Sequence, residues 1–277
     1  MPKTRLIKFA KYQGLGNDFI VIDDRSGSLK LSKKNIIRLC DRRLGIGCDQ
    51  LLIVRASDTA DFKMALYNRD GSSAEMCGNG IRCLARFLYS AKVTRKKNLT
   101  FETAAGLITT KMQNGSVEVD MGEPILDGER VPINHKGMMI NSPLKTSAGS
   151  FNITAVSMGN PHAVIFVNSV DDLPLDKYGP AVENHPLFPK KTNVEFAQVK
   201  TSNKIVLRVW ERGVGATPAC GTGACATLVA AVMNKLTGRS VTVSLPGGSL
   251  KIRWDRKTNH VFMTGPAQES FTGSVKF

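Results

Sequence analysis

The chain has 277 residues, 42% hydrophobic and 22% charged, so it can bury one large core or two of ordinary size, and wholesale disorder is excluded. Its 38 Lys and Arg against 23 Asp and Glu give a formal charge of +15, which keeps nucleic acids and acidic surfaces in view as partners. No apolar run approaches the roughly 20 residues of a membrane helix, and six cysteines without CxxC spacing suit neither a disulfide scaffold nor a zinc site.

Residues 1–5 lead into strand-like sequence with no apolar leader, so no secretory signal is expected. A cytoplasmic setting with reduced thiols follows. Strands are predicted over 5–11 and 19–23, then a helix over Lys33–Cys40 that Ser32 can N-cap. Strands over Gln50–Arg55 and 62–67 precede a helix over 79–90, whose Ile81, Leu84, Phe87 and Leu88 share one side. Strands over 99–103, 106–112 and 116–121 follow, and 121–124 reads as a link. The second half offers strands over 151–157, 163–167, 194–199 and 205–210 and a helix over 222–235. Strands over 241–245, 250–254 and 260–264 come last, and the tail 267–277 shows no readable pattern.

Two cysteines stand in matching contexts, Met76-Cys77-Gly78-Asn79-Gly80 and Ala219-Cys220-Gly221-Thr222-Gly223. The offset between them also pairs Gly16-Asn17 with Gly159-Asn160, Gln50 with Asn193, and Asn68-Arg69 with Glu211-Arg212. Shortened by one residue, it pairs Gly106 with Gly248, Met121 with Met263, and Pro124 with Pro266. One recurring Cys-Gly-x-Gly could be accidental; a shared register of polar positions across both halves reads as an internal duplication. The fold class expected is α+β, with two similar β-rich lobes, each threaded by one helix.

Each repeated cysteine falls at a helix start. There the positive end of the helix dipole and the unpaired N–H groups are expected to lower the thiol pKa. The following glycines let a ligand approach the backbone, and the N–H groups suit a carboxylate. One such site would suggest a nucleophile or redox thiol. Two of them, closing face to face on one ligand, would invert a stereocentre: one thiolate takes a proton and the opposite thiol returns one to the other face. The helix N-termini would hold the carboxylate and spread the developing charge, with no need of pyridoxal, flavin or metal, provided water is excluded.

Asn17, Asn68, Asn160, Asn193 and Gln50 offer donors and acceptors, Arg212 can fork onto a carboxylate, and Glu211 can neutralise an ammonium. His162, after Asn160-Pro161, can influence thiol ionisation. Singly, each such Asn is an ordinary turn former and His162 an ordinary structural histidine; their equivalent places in the repeat argue for function. Cys40, Cys48, Cys83 and Cys225 read as small buried hydrophobes. The stretch Gly221-Thr222-Gly223-Ala224-Cys225-Ala226 imitates a dinucleotide fingerprint, but the tight strand-to-helix turn is missing. Basic doublets such as Arg42-Arg43 and Lys190-Lys191 are scattered and aromatics are only 6%, so a solvated surface is expected rather than a nucleic-acid face.

At these residues the chain resembles the diaminopimelate epimerase family, cofactor-independent amino-acid epimerases of lysine synthesis. The matching stretches are Gly14-Leu15-Gly16-Asn17-Asp18-Phe19, Asn68-Arg69-Asp70-Gly71-Ser72, Met76 to Gly80, Gly159-Asn160-Pro161-His162, Thr192-Asn193-Val194-Glu195, Glu211-Arg212-Gly213 and Ala219 to Gly223. The resemblance implies two pseudo-symmetric lobes, each a β-barrel-like sheet around a central helix. Residues 1–122 with 267–277 would form one and 123–266 the other. It implies interconversion of LL- and meso-2,6-diaminopimelate, feeding lysine and peptidoglycan precursors, with Cys77 and Cys220 as alternating acid and base and no cofactor or metal. Asn17, Gln50, Asn68, Gly78, Asn79, Asn160, Asn193, Glu211, Arg212, Gly221 and Thr222 match substrate-contacting positions, and His162 and Glu211 match positions that tune the thiols. It also implies a homodimer. Cys48 and the Ser72-Ser73-Ala74 loop depart from the family pattern without touching the chemistry.

Three rivals stand beside this expectation. A proline or hydroxyproline racemase shares the paired-thiol logic, but the Asn-rich, Arg-containing site favours a longer substrate with a second charged end. A phenazine-pathway isomerase would share the architecture without needing both cysteines. A basic RNA-binding protein would follow from the charge alone, with salt-sensitive affinity indifferent to thiol alkylation.

Overall fold

A computed structural model describes residues 6–276, and it divides the chain into two compact units, Met1–Val119 with Gly265–Phe277 and Asp120–Thr264. The leader reading over residues 1–5, and Arg5 of the first predicted strand, lie outside the described residues. Among those residues no helix is long and apolar enough to cross a membrane.

The first unit begins with the antiparallel pair β1 (Leu6–Gly14) and β2 (Asn17–Asp23). Helix α1 (Lys33–Cys40) follows, held at its start by a capping box in which Ser32 and Asn35 bond reciprocally. β3 (Gln50–Arg55) runs parallel to β2, and β4 (Phe62–Asn68) returns antiparallel with the short β5 (Ser73–Ala74). Helix α2 (Gly78–Ser90) leads to β6 (Asn98–Thr103), β7 (Gly106–Gln113) and β8 (Ser116–Asp120). β2 and β3 are buried along consecutive residues because both faces are covered. Ile20, Ile22, Leu51 and Ile53 pack with Ile36 and Leu39 of α1, while Phe19 and Leu52 lie against Gly80 of α2.

The second unit contains β9 (Ser142–Thr146), β10 (Gly149–Ser157), β11 (Pro161–Phe166), α3 (Leu175–Glu183), β12 (Asn193–Thr201) and β13 (Lys204–Glu211). β14 (Gly215–Thr217), α4 (Gly221–Met233), β15 (Ser240–Leu245), β16 (Gly248–Trp254) and β17 (Val261–Gly265) complete it. Its pairing repeats the first unit residue for residue. Phe19 faces Gln50 across a parallel pair, as His162 faces Asn193; Leu66 faces Ala74, as Val209 faces Thr217; Phe62 faces Phe101, as Ile205 faces Val243. Helix α4 is buried almost throughout and packs against β10, β11, β12, β15 and β16, which makes it the axis of its unit as α2 is of the first.

The last strand, β18 (Gln268–Lys276), belongs to the first unit, where it pairs antiparallel with β1 from Leu6–Lys276 to Gln13–Gln268. β18, β9 and α3 were not expected from sequence. β18 is exposed along most of its length, so it carries little apolar alternation; β9 contains Pro143. α3 contains Gly179 and Pro180, both helix breakers. It forms because Trp210 packs where a Gly179 side chain would stand and donates its indole N–H to Glu183 at 2.7 Å.

Candidate active site

Strand direction gathers the polar residues of each unit. In the first unit the parallel strands β2 and β3 begin at the same edge, and antiparallel β4 ends there, so Asn17, Gln50 and Asn68 meet beside the start of α2. Cys77 is the N-cap of α2: its sulfur accepts the Gly80 N–H at 3.4 Å and its thiol donates to Asn17 Oδ1 at 3.6 Å. Asn17 is in turn held by Asp49 at 2.9 Å, and Asp49 by Arg42 at 2.8 Å. Gln50 donates to Asn68 Oδ1 at 2.9 Å, and Asn68 donates to Ser72 at 3.0 Å. Gly78 and Asn79 form the first turn of α2. The Gly78 carbonyl and the Asn79 side chain are both taken by Arg82, at 3.1 and 2.8 Å.

The second unit builds the same edge from β11, β12 and β13. Cys220 is the N-cap of α4, with its sulfur 3.4 Å from the Gly223 N–H and 3.5 Å from Thr222 Oγ1. Asn160 donates to Thr222 at 3.3 Å, and its carbonyl oxygen lies 3.0 Å from His162 Nε2. Glu211 accepts the Thr217 hydroxyl at 2.6 Å and hydrogen-bonds Cys220. Asn193 is a brace: it donates to the Pro161 carbonyl at 2.9 Å and accepts the Arg212 N–H at 3.0 Å. The Arg212 side chain is exposed and reaches the Lys190 carbonyl at 3.3 Å, apart from the thiol cluster. Gly221 opens the helix whose N–H groups surround Cys220.

The diaminopimelate epimerase profile matches residues 9–126 and 154–269. A diaminopimelate epimerase of Leptospira biflexa is 48% identical over 278 residues, covering 98% of this chain and 99% of its own. The chain belongs to the diaminopimelate epimerase family. Solved structures sharing the fold include a hydroxyproline epimerase of Agrobacterium vitis with bound trans-4-hydroxy-L-proline, at TM-score 0.69 and 13% identity, covering 100% of this chain and 93% of that one. A phenazine biosynthesis protein of the PhzF family from Bacillus anthracis shares it at TM-score 0.67 and 16% identity, covering 98% and 99%.

One expectation for this epimerase-family chain is corrected. The helix start was expected to lower both thiol pKa values, yet the Cys220 thiol is pushed well above its ordinary range. Burial is the main cause, and the carboxylates of Glu211 and Glu195 add to it, outweighing the N–H of Gly223. Burial also raises Glu211. Cys77, by contrast, is half-buried. The other four cysteines are buried, as expected, though Cys40 and Cys48 hydrogen-bond each other. Burial pushes Cys83 up to about 12.

Three positioning residues escaped the sequence reading. Glu195 is wholly buried, with Oε1 2.7 Å from His162 Nδ1. It lies two residues after Asn193 on β12, and a glutamate between the apolar Val194 and Phe196 was the available signal. Arg82 is the buried cation that locks the start of α2. Glu183 accepts the Gly213 N–H at 2.9 Å and so holds the turn that carries Glu211 and Arg212.

Proposed function

We propose that this chain interconverts LL- and meso-2,6-diaminopimelate without a cofactor, using Cys77 and Cys220 as the acid–base pair. The observation that carries this reading is the identical N-cap geometry of the two thiols, each 3.4 Å from the N–H three residues on, at equivalent places in a duplicated fold. One thiolate takes the α-proton and becomes a thiol. The electron pair stays on the α-carbon, its charge spread into the adjacent carboxylate, and the other thiol delivers its proton to the opposite face and becomes a thiolate. The N–H groups at the starts of α2 and α4 suit that carboxylate.

In this reading Asn17, Gln50, Asn68, Asn79, Asn160 and Thr222 bind the substrate's polar groups with the backbones of Gly78 and Gly221. Asn193 acts through its brace on Arg212, whose exposed guanidinium takes the distal carboxylate. His162 and Glu211 set the protonation of Cys220. The product would feed lysine and peptidoglycan precursors, and the active form would be a cytoplasmic homodimer. Family membership and the polar, two-ended character of the site favour diaminopimelate over proline.

The test is incubation with LL-diaminopimelate in deuterium oxide. Deuterium should enter the α-position as the meso isomer forms, and Cys77→Ala or Cys220→Ala should abolish epimerisation. Turnover of L-proline in place of diaminopimelate, or full activity in either variant, would overturn the reading.

A further inference from the structure

The slot beneath the helix-capping thiol is filled differently in the two units. In the first, a side chain at Gly80 would meet the Phe19 ring at 3.2 Å and Leu52 at 3.4 Å. In the second, the repeat places His162 where Phe19 stands and Glu195 where Leu52 stands, and a side chain at Gly223 would lie 2.7 Å from Glu195 Oε1. An apolar pair under Cys77 thus becomes a buried ionisable pair under Cys220. Both His162 and Glu195 have 0% exposure, and Glu195 Oε2 has no hydrogen-bond partner among the described residues. A lone carboxylate charge there would be strongly destabilising.

The hydrogen bonds settle the proton count. His162 Nε2 faces the Asn160 carbonyl oxygen at 3.0 Å, so this nitrogen carries a proton. Nδ1 and Glu195 Oε1, 2.7 Å apart, need one further proton between them. Whichever atom holds it, the pair is neutral overall. The charged or titratable groups around it are Cys220 on the N-cap of α4 and Glu211 on β13; burial raises both, the Glu211 charge raises Cys220 further, and a hydrogen bond with Cys220 lowers Glu211.

We propose that Glu195 is a positioning residue that shares one proton with His162, so that the pair beside Cys220 bears no net charge across the working pH range. The inference rests on the reading of Cys220 as an acid–base group. Glu195→Gln separates charge from shape: the amide can donate to Nδ1 and preserve the packing, but it cannot share the proton. With no carboxylate to share the proton, the imidazole gains a net positive charge as the pH falls.

The experiment records the 15N signals of the His162 ring in the native chain and in Glu195→Gln from about pH 5.5 to 8.5, alongside kcat/KM for LL-diaminopimelate. The native ring should keep a protonated Nε2 and show no inflection. In Glu195→Gln an inflection should appear on the acid side, with kcat/KM falling up to about tenfold per pH unit below the same point. A titrating His162 in the native chain, or identical ring behaviour in both proteins, would overturn the proposal. So would a uniform loss of activity in Glu195→Gln with an unchanged pH profile, which marks a purely structural role. Should Glu195→Gln not fold, the native titration alone decides. Absence of diaminopimelate turnover in the native chain would instead defeat the proposed function and leave the ring measurement standing.

Discussion

Arg82 donates to Asn79 Oδ1 at 2.8 Å with its side chain wholly buried, and the same guanidinium reaches the carbonyls of Gly78 and Pro266. Replacing it by methionine leaves these acceptors unpaired at the start of α2. Arg82→Met should cost about 3 kcal/mol in urea unfolding and lower kcat by more than about tenfold. Arg82→Lys keeps the charge without the planar fork and should recover less than half of the loss.

Gly223→Ala should be far more damaging than Gly80→Ala. The new methyl at 223 would stand 2.7 Å from Glu195 Oε1 and 3.3 Å from Cys220 Sγ, whereas at 80 the nearest atom is a ring carbon of Phe19 at 3.2 Å. The expected outcome is a loss of kcat of about a hundredfold or more for the first and about tenfold or less for the second. Steady-state kinetics on the two variants makes the comparison.

The raised Cys220 pKa predicts slow alkylation of that thiol at neutral pH, because little thiolate is present. Glu211→Gln removes one of the negative charges responsible, so the midpoint of Cys220 alkylation should move to lower pH and the rate at pH 7 should rise several-fold. Peptide mass analysis after iodoacetamide treatment, in a Cys77→Ala background, reads this directly. A rate that falls instead would reverse the sign of the argument.

Asp18 is partly buried, which by itself would raise its pKa, but hydrogen bonds from Arg42 and Lys11 hold the carboxylate below its ordinary range. A depressed folded-state value contributes stability that is present above the unfolded pKa, about 4, and is lost as pH falls through the folded one. Urea midpoints should therefore drop steadily from about pH 4 downward. Asp18→Asn should flatten that slope and cost about 2 kcal/mol at pH 7, since Lys11 is left buried without its counter-ion.

Much of the chemistry was legible because duplication prints it twice: the matching Cys77 and Cys220 motifs fix both helix starts, and Asn68 with Glu211 marks two equivalent strand ends. What escaped depends on neighbours remote in sequence. α3 exists despite Gly179 and Pro180 because Trp210 covers it, and β18 is polar enough to resemble a loop until β1 supplies its hydrogen bonds. The expected acidity of Cys220 failed for the same reason. A helix terminus is a local feature, whereas the carboxylates of Glu195 and Glu211 arrive from two other strands and reverse its effect.

Because β18 lies along β1, the order of synthesis and the order of assembly must differ. Everything the second unit needs has been synthesised once residue 264 is added, whereas the first unit, begun earlier, waits with one side of β1 unpaired until 268–276 follow. The half that starts first therefore finishes last, and a nascent chain halted just short of its end would expose an open strand edge ready to pair with a neighbour's.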